Sequence, residues 1–198
     1  NLTKKVHGFY DRNINYNPNS VWQIAWKELA KKSEITVFSN STKNIISNIW
    51  PDLKHQIQVK PHVNKNIIGP VSTKSDFDVL TLGVLGGINL AKGAGVISEL
   101  SNLLDKYKTK PFKIVIIGEI DPAYKLGNSV HVHGRYLPKD IKNLIYKYNV
   151  SHWIVPSIWP ETFCFTAHEV LSTGLPVFSM DIGAHGDAIS SSKNGIII

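Results

Sequence analysis

Residues 112–118 read Phe-Lys-Ile-Val-Ile-Ile-Gly, an apolar run closed by glycine, and the pattern recurs at 152–156 (His-Trp-Ile-Val-Pro) and 175–179 (Leu-Pro-Val-Phe-Ser). Each run is short and almost wholly apolar, so each predicts a strand covered on both faces. Working outward, further strands are expected at Val79–Leu85, Val130–His133 and Gly195–Ile198. Helices are expected near Gly93–Tyr107, from Pro138 to Tyr148, from Phe163 to Thr173 with Gly174 just past its end, and near Asp187–Ser191. Short buried strands alternating with helices imply a doubly wound, Rossmann-like α/β domain with a parallel six-stranded sheet over residues 78–198. A ligand is then expected at the carboxyl ends of the strands, near the point where the strand order switches direction.

Upstream the rhythm is less regular. Residues 64–77 are polar and turn-rich and read as a linker. Within 1–63, Ser20 and Gln23 have capping-box spacing, and Trp22, Ala25, Trp26 and Leu29 fall on one helical face expected to be buried. Lys31-Lys32 close that helix. A strand at Glu34–Ser39, a helix capped by Ser41 and ended by Pro51, and a strand at Gln56–Val59 complete a partial α/β segment, too small to be a whole domain. No internal repeat is visible.

The chain has 198 residues, 42% hydrophobic and 19% charged, a composition that excludes low-complexity, collagen-like and fibrous classes. No apolar run approaches the ~18 residues of a membrane span. The single cysteine, Cys164, excludes a disulfide framework and a zinc ribbon and suits a reducing cytoplasm. No charged stretch leads into an apolar run and cleavage site, so no signal peptide is expected; the chain opens at Asn1 and reads as a piece of a longer protein. The net charge is +7, from 20 Lys and 2 Arg against 15 acidic residues, and nearly all of the excess lies in residues 1–77. A solvated lysine-rich face is the simpler reading, and contact with an anionic membrane face or a phosphorylated substrate is the functional one. Without an arginine cluster or a recognisable motif, nucleic acid is not an expected partner.

Four loops follow strands and are expected to meet in one crevice: 86–93, 118–121, 134–136 and 156–165. The first carries Gly86-Gly87 and then Lys92-Gly93 at a helix start, where backbone N–H groups and one ammonium suit a diphosphate. Neither G-x-G-x-x-G nor G-x-x-x-x-G-K-[ST] occurs, which removes the main support for dinucleotide and Walker-type readings. The last loop holds Glu161, with Glu169 eight residues on along a helix. At 1.5 Å per residue the carboxylates stand roughly 10 Å apart, too far for the ~5–5.5 Å nucleophile–acid pair of a retaining glycosidase but suited to the two ends of an elongated ligand.

The ordered series Gly86-Gly87 and Lys92-Gly93, Gly118, Gly134-Arg135, Pro156-Ser157, Glu161 and Glu169, Thr173-Gly-Leu-Pro-Val177 and Asp181-Ile-Gly183 resembles the retaining glycosyltransferases of family 4 (group 1). The likeness covers 79–198 and extends more weakly over 20–62; the PSIWPET variant at 156–162 is similar to bacterial polysaccharide or O-antigen transferases. The resemblance implies the C-terminal, donor-binding half of a GT-B fold, with 1–63 as a remnant of the acceptor-side domain. It further implies a UDP-, GDP- or dTDP-sugar donor, a glycan or lipid-linked acceptor, no metal and no cofactor, and a place in the cytoplasm at the inner face of the membrane. Glu161 would meet donor-sugar hydroxyls, and the backbone N–H groups of Phe163, Cys164 and Phe165 would face the sugar and distal phosphate. Glu169 would take the ribose, Lys92 the departing diphosphate, and the main chain around Arg135 the base edge. The chain departs from the pattern twice: members commonly carry Gly-Arg at Gly86-Gly87, and Gly-Phe-Gly at Thr162-Phe163-Cys164. With most of the acceptor side missing, this piece alone is expected to bind donor and transfer poorly. A non-catalytic nucleotide-sugar-binding scaffold and a sugar-nucleotide epimerase of the same fold remain alternatives.

Other features carry less. Asp76-Phe77-Asp78 matches the D-x-D of metal-dependent transferases but precedes a strand. His131 and His133 share a strand face without a third ligand nearby, Cys164 lacks a partner base, and His185 sits in a glycine-rich loop near the crevice.

Overall fold

A computed structural model of the chain describes residues 21–72, 79–107 and 111–198. Strands β3 (Leu80–Leu85), β4 (Phe112–Ile117), β5 (Val130–Val132), β6 (His152–Val155), β7 (Val177–Ser179) and β8 (Gly195–Ile197) form one sheet, all neighbours parallel, in the order β5-β4-β3-β6-β7-β8. The chain winds outward from β3 to β5 on one side, then returns to β6 and winds outward the other way. The switch point lies between β3 and β6, as the alternating pattern requires.

Period-two alternation divides the buried side chains between two cores. Ile114, Ile116, Leu82, Val84 and Ile154 lie on one face under helix α3 (Ala94–Lys106). Val115, Ile117, Leu85, Trp153, Val155 and Val177 lie on the other, under α4 (Ile141–Tyr148) and α5 (Phe165–Leu171). Trp153 is wholly buried opposite Gly83 and donates its indole N–H to Thr173 Oγ1 at 3.2 Å. A Cβ on Gly83 would fall 2.5 Å from that ring, so the glycine makes room for the indole. Helix α6 (Gly183–Ser190) starts a full turn before the sequence-based expectation of Asp187.

Before the sheet, β1 (Ile35–Val37), α2 (Asn40–Ile49), a 3₁₀ turn (Pro51–Gln56) and β2 (Ile57–Val59) form a small unit in which the two strands pair in parallel. Helix α1 (Val21–Lys31) precedes it, and here the expected burial is corrected. Ala25 is exposed, Trp26 and Leu29 are 58% and 55% exposed, and the half-buried positions are Gln23, Lys27 and Ala30. Lys27 pairs with Asp52 at 3.0 Å, which turns this polar face inward. Ser20 and the Trp22 side chain fall outside the described residues, as does Asp76-Phe77-Asp78.

The cap of α2 is also corrected, from Ser41 to Ser39. Ser39 Oγ accepts from Thr42 N at 3.2 Å, while Ser41 is claimed by Asp187, to which it donates from its backbone N (2.7 Å) and its hydroxyl (2.6 Å). These bonds tie the first segment to α6. Residues 64–72, the described part of the segment read as a linker, are likewise pinned: Ile68 N donates to Ser172 Oγ and Val71 N to the Thr173 carbonyl, and both side chains pack on the core.

Candidate functional site

The loops after β3, β4, β5 and β6 converge through their own backbone bonds. Ile88 N donates to the Glu119 carbonyl (2.7 Å), Asp121 N to Ile88 (2.8 Å), Gly134 N to Gly118 (3.0 Å) and Ile158 N to Ala91 (3.0 Å). Ser157, 2% exposed, also donates its hydroxyl to Ala91. The loop after β3 is closed by Asn89, whose Oδ1 accepts from Lys92 N at 3.0 Å.

Lys92 and Glu161, 69 residues apart in sequence, meet at the switch point: Nζ lies 3.0 Å from Oε2. The pair stands at the edge of a small depression lined by Leu85, Ile88, Pro156, Ser157, Thr166 and Val170. The Glu161 side chain is 15% exposed and its Oε1 has no hydrogen-bond partner among the described residues. An ammonium that is 40% exposed and a carboxylate beside the depression can each take a new partner, one an anion and the other hydroxyls. Gly86 and Gly87 border the same loop, and a Cβ on Gly87 would meet nothing within 4 Å, so there is open space over its Cα.

Beyond Glu161 the chain is aromatic. Phe163 stacks on His168 (4.7 Å between centroids) and meets Phe165 edge-on (4.9 Å); Phe165 faces His62, which stacks on Phe38 at 3.8 Å. The sequence offered no local sign that Phe38 and His62, from the first segment, join this wall. Helix α5 begins at Phe165, not Phe163, with Cys164 in extended backbone as its N-cap and no side-chain cap bond. Cys164 is buried, and burial and the Glu161 charge push its thiol up, which leaves it a poor nucleophile.

Glu169, on the second turn of α5, is 7% exposed. Burial holds its carboxyl above the ordinary range, and the Asn66 amide opposes this. Burial raises Tyr136 as well, helped by the Glu169 charge. A raised carboxyl binds its proton more tightly folded than unfolded, so stability falls as pH rises from the ordinary carboxylate value through the folded one. Glu169→Gln is therefore expected to melt a few degrees higher than wild type at pH 8 and to lose that advantage at pH 4, in calorimetric scans.

The remaining candidates sit apart from the ion pair. The Arg135 guanidinium lies 3.2 Å from Glu119, both largely exposed. His131 and His133 both turn to the Tyr148 hydroxyl, at 3.2 and 2.8 Å. Among the described residues, no group of three or more His, Cys, Asp or Glu is placed to hold a metal ion, and no helix is long and apolar enough to cross a membrane.

The family described as glycosyl transferases group 1 matches residues 71–198. A sucrose synthase of Melioribacter roseus is 32% identical over 188 residues, 91% of this chain and 22% of that protein. A glycosyltransferase from Rickettsia africae has the same fold with a TM-score of 0.63 at 23% identity, over 84% of this chain and 49% of its own. A mutant S. aureus TarM, solved in complex with fondaparinux, α-GlcNAc-glycerol and UDP, gives 0.66 at 20% identity, over 94% of this chain and 38% of its own. The chain thus spans less than a quarter of the sucrose synthase and less than half of these two structures.

Proposed function

The chain belongs to the glycosyl transferases group 1 family, of GT-B type, and on that footing we propose that it is the donor-binding part of a retaining transferase that moves a hexosyl group from a nucleotide sugar. The reading rests on one observation above the others: the Lys92–Glu161 pair stands at the switch point of a doubly wound sheet, where such folds take their ligands. A nucleoside diphosphate sugar offers each partner a replacement. Lys92 turns to the diphosphate, and Glu161 accepts from hydroxyls of the sugar. Glu169 takes the ribose hydroxyls, the main chain at Gly134-Arg135 the base edge, and the amides of Phe163, Cys164 and Phe165 the distal phosphate.

In transfer, the bond between the anomeric carbon and the diphosphate oxygen breaks through an oxocarbenium-like state while the acceptor hydroxyl oxygen bonds to that carbon, its proton passing to the departing diphosphate. The protein's part is orientation and stabilisation of the leaving negative charge. No metal or cofactor is invoked; Lys92 and backbone amides carry that charge. The acceptor is a glycan or a lipid-linked glycan of bacterial polysaccharide or O-antigen synthesis. The basic first segment favours work at the cytoplasmic face of an anionic membrane.

A thermal-shift screen of UDP, GDP, dTDP and their sugar conjugates tests the reading, with one base family expected to raise the melting temperature. If none of them does, the reading fails. Two substitutions are expected to move nucleoside diphosphate affinity in opposite directions, read by calorimetric titration. Lys92→Ala removes a charge-assisted contact worth ~1.5–3 kcal/mol, a weakening of roughly tenfold or more. Gly87→Arg places a guanidinium in the open space beside the same loop and tightens binding. Unchanged affinity in both would contradict the assignment of the diphosphate to this loop.

A further inference from the structure

Beside the residues that clamp the Glu161 main chain lies a histidine that the proposed chemistry does not use. His185 has no solvent exposure, and neither Nδ1 nor Nε2 makes a hydrogen bond of ordinary geometry among the described residues, although the Ser157 main chain lies close enough to favour a ring proton. A buried imidazole left unmatched carries a desolvation cost that an apolar side chain would not. Glu161 Oε1 is unmatched in the same way, because Lys92 holds the other oxygen.

The backbone brings these two groups to one place. Gly183, at φ +59, packs so closely that a Cβ there would fall 2.5 Å from Pro160 Cα and 2.8 Å from Glu161 N. Ala184 N donates to the Glu161 carbonyl at 2.9 Å, and His185 is the next residue. The first turn of α6 therefore clamps the Glu161 main chain and carries His185 next to that clamp. Burial, the largest influence, keeps the ring's proton affinity low; the Glu161 carboxylate, the Ser157 main chain and Asp187 favour a proton, and Lys92 opposes it.

We propose that His185 is a positioning residue for Glu161: once the Lys92 ammonium turns to a diphosphate, a ring N–H of His185 donates to Oε1 and holds the carboxylate toward the sugar. The buried acceptor and buried donor then satisfy each other, and Glu161 keeps its direction without its cation. This rests on the functional reading of Lys92 and Glu161 given above.

Lys92→Ala frees the carboxylate without any nucleotide, so the coupling can be tested directly. In the ¹⁵N-histidine-labelled chain, with His185 assigned from the His185→Leu spectrum, Lys92→Ala is expected to give a slowly exchanging imidazole N–H in a single ring tautomer. Adding Glu161→Leu, which removes the acceptor, should remove that signal. In thermal melts, His185→Leu should leave the wild type unchanged or more stable, yet lower the melting temperature of Lys92→Ala. An N–H indifferent to Glu161→Leu, or additive melting shifts, overturns the proposal. If UDP, GDP and dTDP all fail to bind while the ring still responds, the functional reading falls and this coupling stands. If they bind and the ring is silent, the coupling alone falls.

Discussion

In the intact protein with its acceptor-side domain, Glu161→Ala is expected to lower turnover, followed as release of nucleoside diphosphate, by about 10²–10³-fold, the loss typical of removing one group that acts mainly in the transition state. Nucleoside diphosphate affinity should change far less, because the carboxylate faces the sugar and not the phosphates. The split between rate and binding is what assigns the role. Lys92 loses its 3.0 Å partner in this variant and is free for the diphosphate, so binding of the nucleotide alone is expected to hold or to tighten slightly. Turnover equal to wild type would remove Glu161 from the mechanism.

The second large effect is on the scaffold. Gly93 opens α3 at φ +84, and a Cβ there would stand 2.0 Å from the Pro156 carbonyl oxygen. Gly93→Ala combines a left-handed penalty of about 1–2 kcal/mol with overpacking of typically 1–3 kcal/mol. The expected outcome is a loss of roughly 2–5 kcal/mol in denaturant unfolding, with an accompanying loss of nucleotide binding. Both follow from one cause. The loops after β3 and β6 touch at this glycine, and separating them moves Lys92 away from Glu161. A variant of wild-type stability would show that the two loops are not in this contact.

The strands were legible where the physics is local and complete. Phe112–Ile117 and His152–Val155 form where the apolar runs place them, because a strand covered on both faces is apolar at every position. The six-stranded sheet and its switch point follow from that alternation. Helix bounds were less legible. Gly183 and Gly186 make the start of α6 read as a loop, since glycine disfavours helices, yet close packing against Pro160 and Asp181 demands small residues there. Ser39 and Ser41 are equally good caps on paper; Asp187, 146 residues away, takes Ser41 and decides it. The apolar spacing in α1 describes a face but not its cover, and the described residues leave Trp26 and Leu29 exposed.

Much the same division holds in the candidate site. Lys92 and Glu161 could each be picked out by residue type and neighbours, but their ion pair spans 69 residues and exists only through the parallel register of β3 and β6. His185 was visible as a polar residue among glycines. Its complete burial was not, because that depends on how the first turn of α6 seats on Pro160. Phe38 and His62 reach the aromatic wall from the first segment, and nothing in their local sequence marks them.

A crystal structure of the chain soaked with UDP-glucose, GDP-mannose or dTDP-glucose, whichever raises the melting temperature most, would test the account most directly. The expected result is a diphosphate at Lys92 beside Gly86-Gly87, sugar hydroxyls on Glu161, and the 3.0 Å Lys92–Glu161 contact opened. A nucleotide bound elsewhere, or bound with that contact intact, would contradict it.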